Sequence, residues 1–232
     1  MRLFQVGGSI RDELLGVPSH DLDFSVEALS FEAMVEELEA RGFRIWQTRP
    51  EYATVRAQFP DKGPSCDFVL ARRDGFYSDG RRPDSIAAGS LYDDLARRDF
   101  TINAIAREWD IPGAPYIDPF GGLKDITSKL IQTVGDPAER ITEDSLRALR
   151  ALRFSVTLGF DIADDLRYVL KTERTSHALE AVAPERMHIE LTKMIKADQE
   201  RTLNIIREYP NLFRVVFSNR VGIWLKPTLE DK

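Results

Sequence analysis

Val6-Gly7-Gly8-Ser9-Ile10-Arg11-Asp12, followed by His20-Asp21-Leu22-Asp23-Phe24, is the stretch from which the rest of the chain can be read. Before it, Met1–Val6 carries Leu3, Phe4 and Val6 and predicts a strand. Two glycines come next, then a helical Ser9–Leu15 closed by Gly16, a turn at Val17-Pro18-Ser19, and a second short strand bearing Asp21 and Asp23. Side chains alternate along a strand, so these two carboxylates are expected to project together. Two like charges that close repel unless a cation lies between them, and an all-oxygen pair suits a divalent ion, most simply Mg²⁺. Bare N–H groups at Gly7 and Gly8, just before a helix, suit a phosphate. The Lys-Ser/Thr of a phosphate loop and the G-x-G-x-x-G of a dinucleotide fold are both missing, so neither fold is signalled.

Alone, a D-x-D on a strand or a Gly-Gly before a helix is ordinary. G-G-x-x-R-D, then L-G, then D-x-D at this spacing closely resembles the N-terminal motif of the tRNA nucleotidyltransferase and poly(A) polymerase family, whose catalytic fold is of the DNA-polymerase-β type. A second match is Arg97-Arg98-Asp99-Phe100-Thr101-Ile102-Asn103-Ala104, which fits the family's R-R-D-F-T-x-N-A. Physically, Arg98 can neutralise phosphate oxygens, and Asp99 can accept from the ribose hydroxyl that marks a ribonucleotide. Asn103 suits a role in ordering local backbone, and Arg97 a surface ion pair. The third match is Glu143-Asp144-Ser145-Leu146-Arg147-Ala148-Leu149-Arg150-Ala151-Leu152-Arg153-Phe154. With Thr142 as N-cap, Asp144, Arg147, Arg150 and Arg153 form one polar helical stripe, and Leu146, Leu149 and Leu152 an apolar stripe beside it. The pattern by itself favours a solvated Arg face over a Leu core. Its resemblance to the family's neck motif implies nucleotide selection.

The intervening chain is less specific. Ser30–Arg41 predicts an amphipathic helix with Ser30 as N-cap and Gly42 as stop. Phe43–Trp46, Thr54–Phe59 and Cys66–Ala71 read as strands, broken at Pro50 and at Pro60–Pro64. Asp67, inside the last apolar run, is either a charge pointing out of an edge strand or a third active-site acid; the resemblance favours the acid. Arg72–Arg82 reads as a solvated loop, and the family carries there a mobile loop implicated in adding the final nucleotide. Tyr116–Asp125, rich in Gly and Pro, reads as a plain loop or as the bend between two domains. From Asp136 onward the pattern is helical, with Ile162–Lys171 capped by Asp161, a helix opening at Pro184, and Leu203–Phe217 cut at Pro210-Asn211. None of His20, His177 and His188 belongs to a metal-ligand pair.

The totals set limits. The sequence has 232 residues, 43% hydrophobic and 30% charged, enough for one large or two small domains. Its single Cys66 cannot form an internal disulfide. No apolar run is long enough for a membrane span, and no secretory signal opens the chain, so a cytoplasmic location and no membrane partner are expected. A net charge of −6 argues against a general basic surface for nucleic acid. Of 32 basic residues 24 are Arg, however, the side chain suited to phosphate.

The expected fold is therefore α+β. A nucleotidyltransferase head at 1–136, a small mixed sheet with flanking helices, precedes an all-helical neck at 137–232. The resemblance implies helical body and tail domains beyond the neck, so a sequence ending at Lys232 is expected to be a fragment, a compact form with a weaker tRNA grip, or a form relying on a partner. The resemblance implies Mg²⁺-dependent transfer of CMP and AMP from CTP and ATP to the 3′ end of tRNA, with pyrophosphate released. Asp21, Asp23 and Asp67 would be catalytic, the first two as metal ligands. Gly7, Gly8, Arg11, Arg98, Asp99, Asp144, Arg147, Arg150 and Arg153 would bind nucleotide. A poly(A) polymerase, or an enzyme adding only CC or only A, is the alternative within the family. A catalytically silent RNA-binding module is the alternative outside it. Oligomeric state is not readable.

Overall fold

The computed structural model describes residues 1–18, 22–74 and 86–218. Asp21, His20, the end of the expected Val17-Pro18-Ser19 turn at Ser19, most of the 72–82 loop and the tail from 219 lie outside the described residues. The chain divides into two compact units. One comprises 1–128 with 132–135, and the other 129–131 with 136–232.

The first unit runs β1 (Arg2–Val6), α1 (Gly8–Leu14), β2 (Asp23–Glu27), α2 (Phe31–Ala40), β3 (Arg44–Arg49), β4 (Thr54–Gln58), β5 (Ser65–Leu70), β6 (Arg72–Asp74), β7 (Ile86–Ala88), α3 (Leu91–Ala96), β8 (Ala106–Glu108), β9 (Tyr116–Ile117) and α4 (Gly122–Ser128). Among the described residues, seven of these strands form one sheet in the order β3-β4-β5-β2-β1-β8-β9. All its junctions are antiparallel except β2–β5, which is parallel. β1 is buried on both faces from Leu3 to Val6, with the polar Gln5 among its buried residues. Leu3 joins a core of Phe24, Val26, Phe68 and Leu70 under Met34 and Leu38 of α2. Phe4 and Val6 join a second core with Leu91, Leu95 and Val134. Strand β5 alternates instead, with Cys66, Phe68 and Leu70 inward and Asp67 on the other face. Burial pushes the Cys66 thiol up to about 11, which makes it a core residue rather than a nucleophile. α2 begins as its sequence predicts, Ser30 Oγ accepting from Ala33 N at 3.1 Å.

In the second unit, β10 (Leu130–Ile131) pairs with β11 (Asp161–Ile162), and helices α5 (Pro137–Glu143), α6 (Leu146–Leu158), α7 (Asp164–Leu170), α8 (Glu173–Leu179), α9 (Pro184–Ala197), α10 (Gln199–Glu208) and α11 (Pro210–Phe217) are the other elements of its described residues. Leu146, Leu149 and Leu152 of α6 and Met187, Leu191 and Met194 of α9 are buried, the apolar stripes that the sequence shows.

Several local expectations change. Asp161 does not cap a helix: it lies in β11, and Ala163 holds the cap position of α7. Thr142 is not an N-cap. It lies within α5, which is capped by Asp136 accepting from Glu139 N at 3.0 Å. Asp144 therefore does not share a helix with Arg147. The chain leaves helical geometry at Asp144 (φ −142°), and α6 starts two residues later. The Tyr116–Asp125 stretch is not a bend between units but belongs wholly to the first. Its Asp118 caps α4, accepting from Gly122 N at 2.8 Å and Leu123 N at 2.9 Å. A Cβ at Gly122 would stand 2.2 Å from the Thr101 carbonyl oxygen, so only glycine lets α4 sit against that turn.

Candidate active site

In the first unit the sheet brings two of the predicted site acids side by side, at the strand end that leads into Gly7. Register sets Val6 opposite Asp23, and Asp23 opposite Asp67 on the neighbouring parallel strand. Asp67 thus occupies an interior strand, which removes the edge-strand reading of its charge. Asp23 is exposed and Asp67 half-buried; with Leu22, Arg56, Ser65 and Cys66 they line a cavity of about 250 Å³. Arg56 Nη1 lies 3.0 Å from Asp67 Oδ1.

Gly7 follows Val6 directly. Its φ of 77° is left-handed, and a Cβ there would meet Arg98 Nη1 at 2.8 Å. The backbone turn requires glycine, and the open Cβ position lets the Arg98 guanidinium lie against it. Gly7 holds the N-cap position of α1 and brings no side-chain acceptor to the first N–H groups of that helix. Arg11, nearly buried, donates to Asn103 Oδ1 at 2.6 Å and to Asp12 Oδ1 at 2.7 Å.

Arg98 is held from behind. Asp94, fully buried in α3, accepts from Arg98 Nη2 at 2.9 Å through Oδ2 and from Arg97 Nη2 at 2.5 Å through Oδ1. Burial alone would push the Asp94 carboxyl up; the charges of Arg98 and Arg97 and their hydrogen bonds outweigh it and hold the group below its ordinary value. Arg97 is indeed an ion pair, but its partner is a core carboxylate. Asn103 does more than order backbone. Its amide accepts from Arg11 and donates to Asp99 Oδ1 at 3.0 Å, an oxygen that also accepts from Phe100 N at 2.8 Å. Sequence reading missed Asp94, although its spacing of three and four before Arg97 and Arg98 was the available signal. It missed Arg56 entirely, because that contact crosses strands.

In the second unit, Asp144 Oδ1 accepts from Leu146 N at 3.1 Å and Oδ2 lies 3.5 Å from Arg186 Nη2. Arg147 Nη1 lies 2.9 Å from Glu143 Oε2 and 3.1 Å from the Arg140 carbonyl oxygen. Arg153 donates to the buried Glu190, with Arg150 4.0 Å from the same carboxylate, and the Arg153 guanidinium stacks 3.8 Å over Phe154. Glu190 is the second unforeseen residue of this kind, a buried acid that fixes two arginines.

The sequence profile of the poly A polymerase head domain matches residues 3–132. The chain belongs to that family. Its similarity continues beyond the head domain. The CCA-adding enzyme of Leuconostoc citreum is 41% identical over 191 residues, 82% of this chain and 44% of the relative. The CCA-adding enzyme of Bacillus pumilus is 39% identical over 203 residues, 87% and 48% of the two chains. Among solved structures, the Bacillus stearothermophilus CCA-adding enzyme in complex with CTP superposes with a TM-score of 0.75 at 32% identity, covering 90% of this chain and 48% of that one. A tRNA nucleotidyltransferase complexed with a primer tRNA and an incoming ATP analog gives 0.75 at 30%, covering 94% and 59%. The chain spans about half the length of the curated relatives it matches. Among the described residues, no helix is long and apolar enough to cross a membrane.

Proposed function

We propose that the chain transfers CMP and AMP from CTP and ATP to the 3′ end of tRNA, with 1–136 as catalytic head and 137–232 as a nucleotide-selecting helical neck. One observation carries the reading: Gly7, with Arg98 against it, follows directly on Val6, which register sets opposite Asp23, itself opposite Asp67. Relatives named for CCA addition support the substrate.

The reaction forms a bond from the 3′-hydroxyl oxygen to the α-phosphorus and breaks the α–β phosphoanhydride, releasing pyrophosphate. Gly7 and Gly8 N–H groups, Arg11 and Arg98 bind and orient the triphosphate, with Arg150 and Arg153 as further phosphate ligands. Asp99 accepts from the ribose 2′-hydroxyl. Asp23 and Asp67, with Asp21 as the expected third, would hold a divalent ion. The fit rests on the donor set, two carboxylates brought side by side at a cavity, all hard oxygen. Among the described residues no cluster of three His, Cys, Asp or Glu side chains converges. When bound, the ion, most simply Mg²⁺, lowers the pKa of the attacking hydroxyl and neutralises the leaving pyrophosphate.

For base choice, Asp144 accepts from the exocyclic amino group that CTP and ATP share, and Arg147 donates to the adjacent ring nitrogen. Asp144 does so from the turn before α6 rather than from the helix itself. UTP and GTP would leave both groups unpaired, which is the basis of strong rejection. The deciding experiment is incubation of the chain with a tRNA lacking its 3′ end, Mg²⁺ and each labelled NTP in turn. Incorporation of C and A alone supports the reading, and no incorporation, or a long A tract, overturns it.

A further inference from the structure

The face that carries Asp23 and Asp67 does not end at Asp67. Register continues it to Arg56 on β4 and to Gln47 on β3, the exposed edge of the sheet. Two adjoining cavities show this. Arg56 and Asp67 line the one already described, and the same two residues line a second of about 120 Å³ with Gln47, Arg49 and Thr54. The second cavity is walled by guanidinium, amide and hydroxyl groups, with Asp67 as the acid among its lining residues.

Charge on this edge departs from the rest of the chain. Residues 44–58 hold Arg44, Arg49 and Arg56 against the one carboxylate of Glu51, in a protein of net charge −6. Arg49 donates to the neutral Gln47 Oε1 at 3.1 Å. Arg56 spends its charge on Asp67, the residue proposed to turn to a metal ion. Once Asp67 is so engaged, the Arg56 guanidinium faces the second cavity without its carboxylate. Beside them Trp46 stands half exposed with the Arg44 guanidinium 4.2 Å over its ring. Arginines interleaved with an exposed aromatic form a platform for single-stranded nucleic acid, the cations tracking phosphates and the ring stacking a base.

We propose that this β3–β4 edge seats the phosphodiester backbone of the acceptor strand just upstream of its reactive 3′ end, with Arg56 and Arg49 as phosphate ligands. The inference rests on the nucleotidyl-transfer reading for its direction. Arg49 lies two strands from Asp67 and two residues along β3, about 12 Å away, so a strand whose end is at Asp23 and Asp67 runs outward across Arg56 to Arg49. The partner is single-stranded RNA, recognised by backbone charge rather than base sequence.

The test uses the full chain and a fluorescein-labelled eight-nucleotide single-stranded RNA, followed by anisotropy from low to moderate salt at fixed Mg²⁺ without NTP. The double variant Arg49→Ala/Arg56→Ala should bind about ten-fold more weakly at low salt. Its plot of log affinity against log salt should be shallower by about 1.4, or about 0.7 for each phosphate no longer neutralised. Arg41→Ala, on the α2 side of the sheet, serves as control and should keep the wild-type slope. Arg49→Ala alone breaks a bond to the exposed Gln47, so it reports on binding with no risk to the fold. In turnover Arg49→Ala, which leaves the Arg56–Asp67 pair in place, should raise KM for the RNA acceptor and leave KM for CTP unchanged. A wild-type slope and affinity in the double variant, or a rise confined to KM for CTP in Arg49→Ala, would overturn the proposal, the latter assigning that arginine to the triphosphate. A chain that incorporates no nucleotide yet loses RNA affinity in the variants refutes the transfer reading and leaves the RNA edge standing.

Discussion

Replacing Asp94 with Asn tests whether Arg98 is held for function by a carboxylate that touches no substrate. Asp94 is fully buried and makes three charge-assisted hydrogen bonds, two to Arg97 and one to Arg98. The Asn amide keeps the shape and removes the charge. Stripping one partner from a buried ion pair costs about 3–5 kcal/mol. The Arg97 and Arg98 side chains are 26% and 21% exposed, so water takes up part of that loss and about 2–4 kcal/mol is expected. Urea unfolding followed by tryptophan fluorescence measures it, since Trp46 and Trp109 both lie in the first unit. A second readout separates position from stability: with Arg98 no longer pinned beside Gly7, KM for CTP should rise by an order of magnitude under conditions where the variant is folded. The acid limb supplies a third. Because Asp94 titrates below its ordinary value in the folded protein, its contribution is complete above pH about 4, the unfolded value. It is lost as pH falls through the folded value, and the Asn variant should lack that component. A variant with unchanged midpoint and unchanged KM would show that Asp94 neither stabilises the first unit nor places Arg98.

Other substitutions probe the remaining assignments. Asp21→Ala or Asp23→Ala should lower nucleotide incorporation on the order of 10³-fold or more at ordinary Mg²⁺ while the unfolding midpoint stays put; near-native turnover in either would end the metal assignment. Asp99→Ala should narrow the preference for CTP over dCTP by about 1–3 kcal/mol, read from the two kcat/KM values, and equal discrimination would remove Asp99 from the sugar. Gly122→Ala places a methyl group 2.2 Å from the Thr101 carbonyl and should destabilise the first unit by about 1–3 kcal/mol or more in urea. A neutral result there would mean that α4 shifts without consequence.

What the sequence makes legible is what local physics decides. The strand before Gly7, the Ser30 cap and the Leu stripe of α6 each follow from a few adjacent residues. The family motifs carry most of the site for the same reason, since each is continuous in sequence. Pairings between distant strands are a different matter. Nothing near Asp67 announces that it lies opposite Asp23, or that Arg56 reaches it, because both facts are set by sheet order. The break at Asp144 was hidden by the three-residue spacing of charges, which runs through helix and turn alike. Asp144 and Ser145, both residues that favour helix caps, were the counter-signal. Tyr116–Asp125 misled through composition: its Gly and Pro serve a tight approach inside the first unit rather than a joint between units.

The parallel β2–β5 junction has a consequence for how the chain folds. Its two strands are separated in sequence by α2, β3 and β4, so the pairing closes a long loop and belongs among the slow contacts of the fold. It also sets Asp23 beside Asp67, a repulsion that disfavours the register until something else enforces it. The next pair along supplies that force. Phe24 and Phe68 stack at 5.0 Å with their planes 17° apart, fully buried, and Val26–Leu70 follows. A slip of one residue would turn these rings to the opposite face, where the carboxylates stand, and the carboxylates into the core under α2. The apolar layer beneath the sheet therefore acts as the proofreader of the acidic one above it. Shaving Phe68 to a smaller side chain is accordingly a lesion in the assembly of the catalytic pair, made from the opposite side of the sheet.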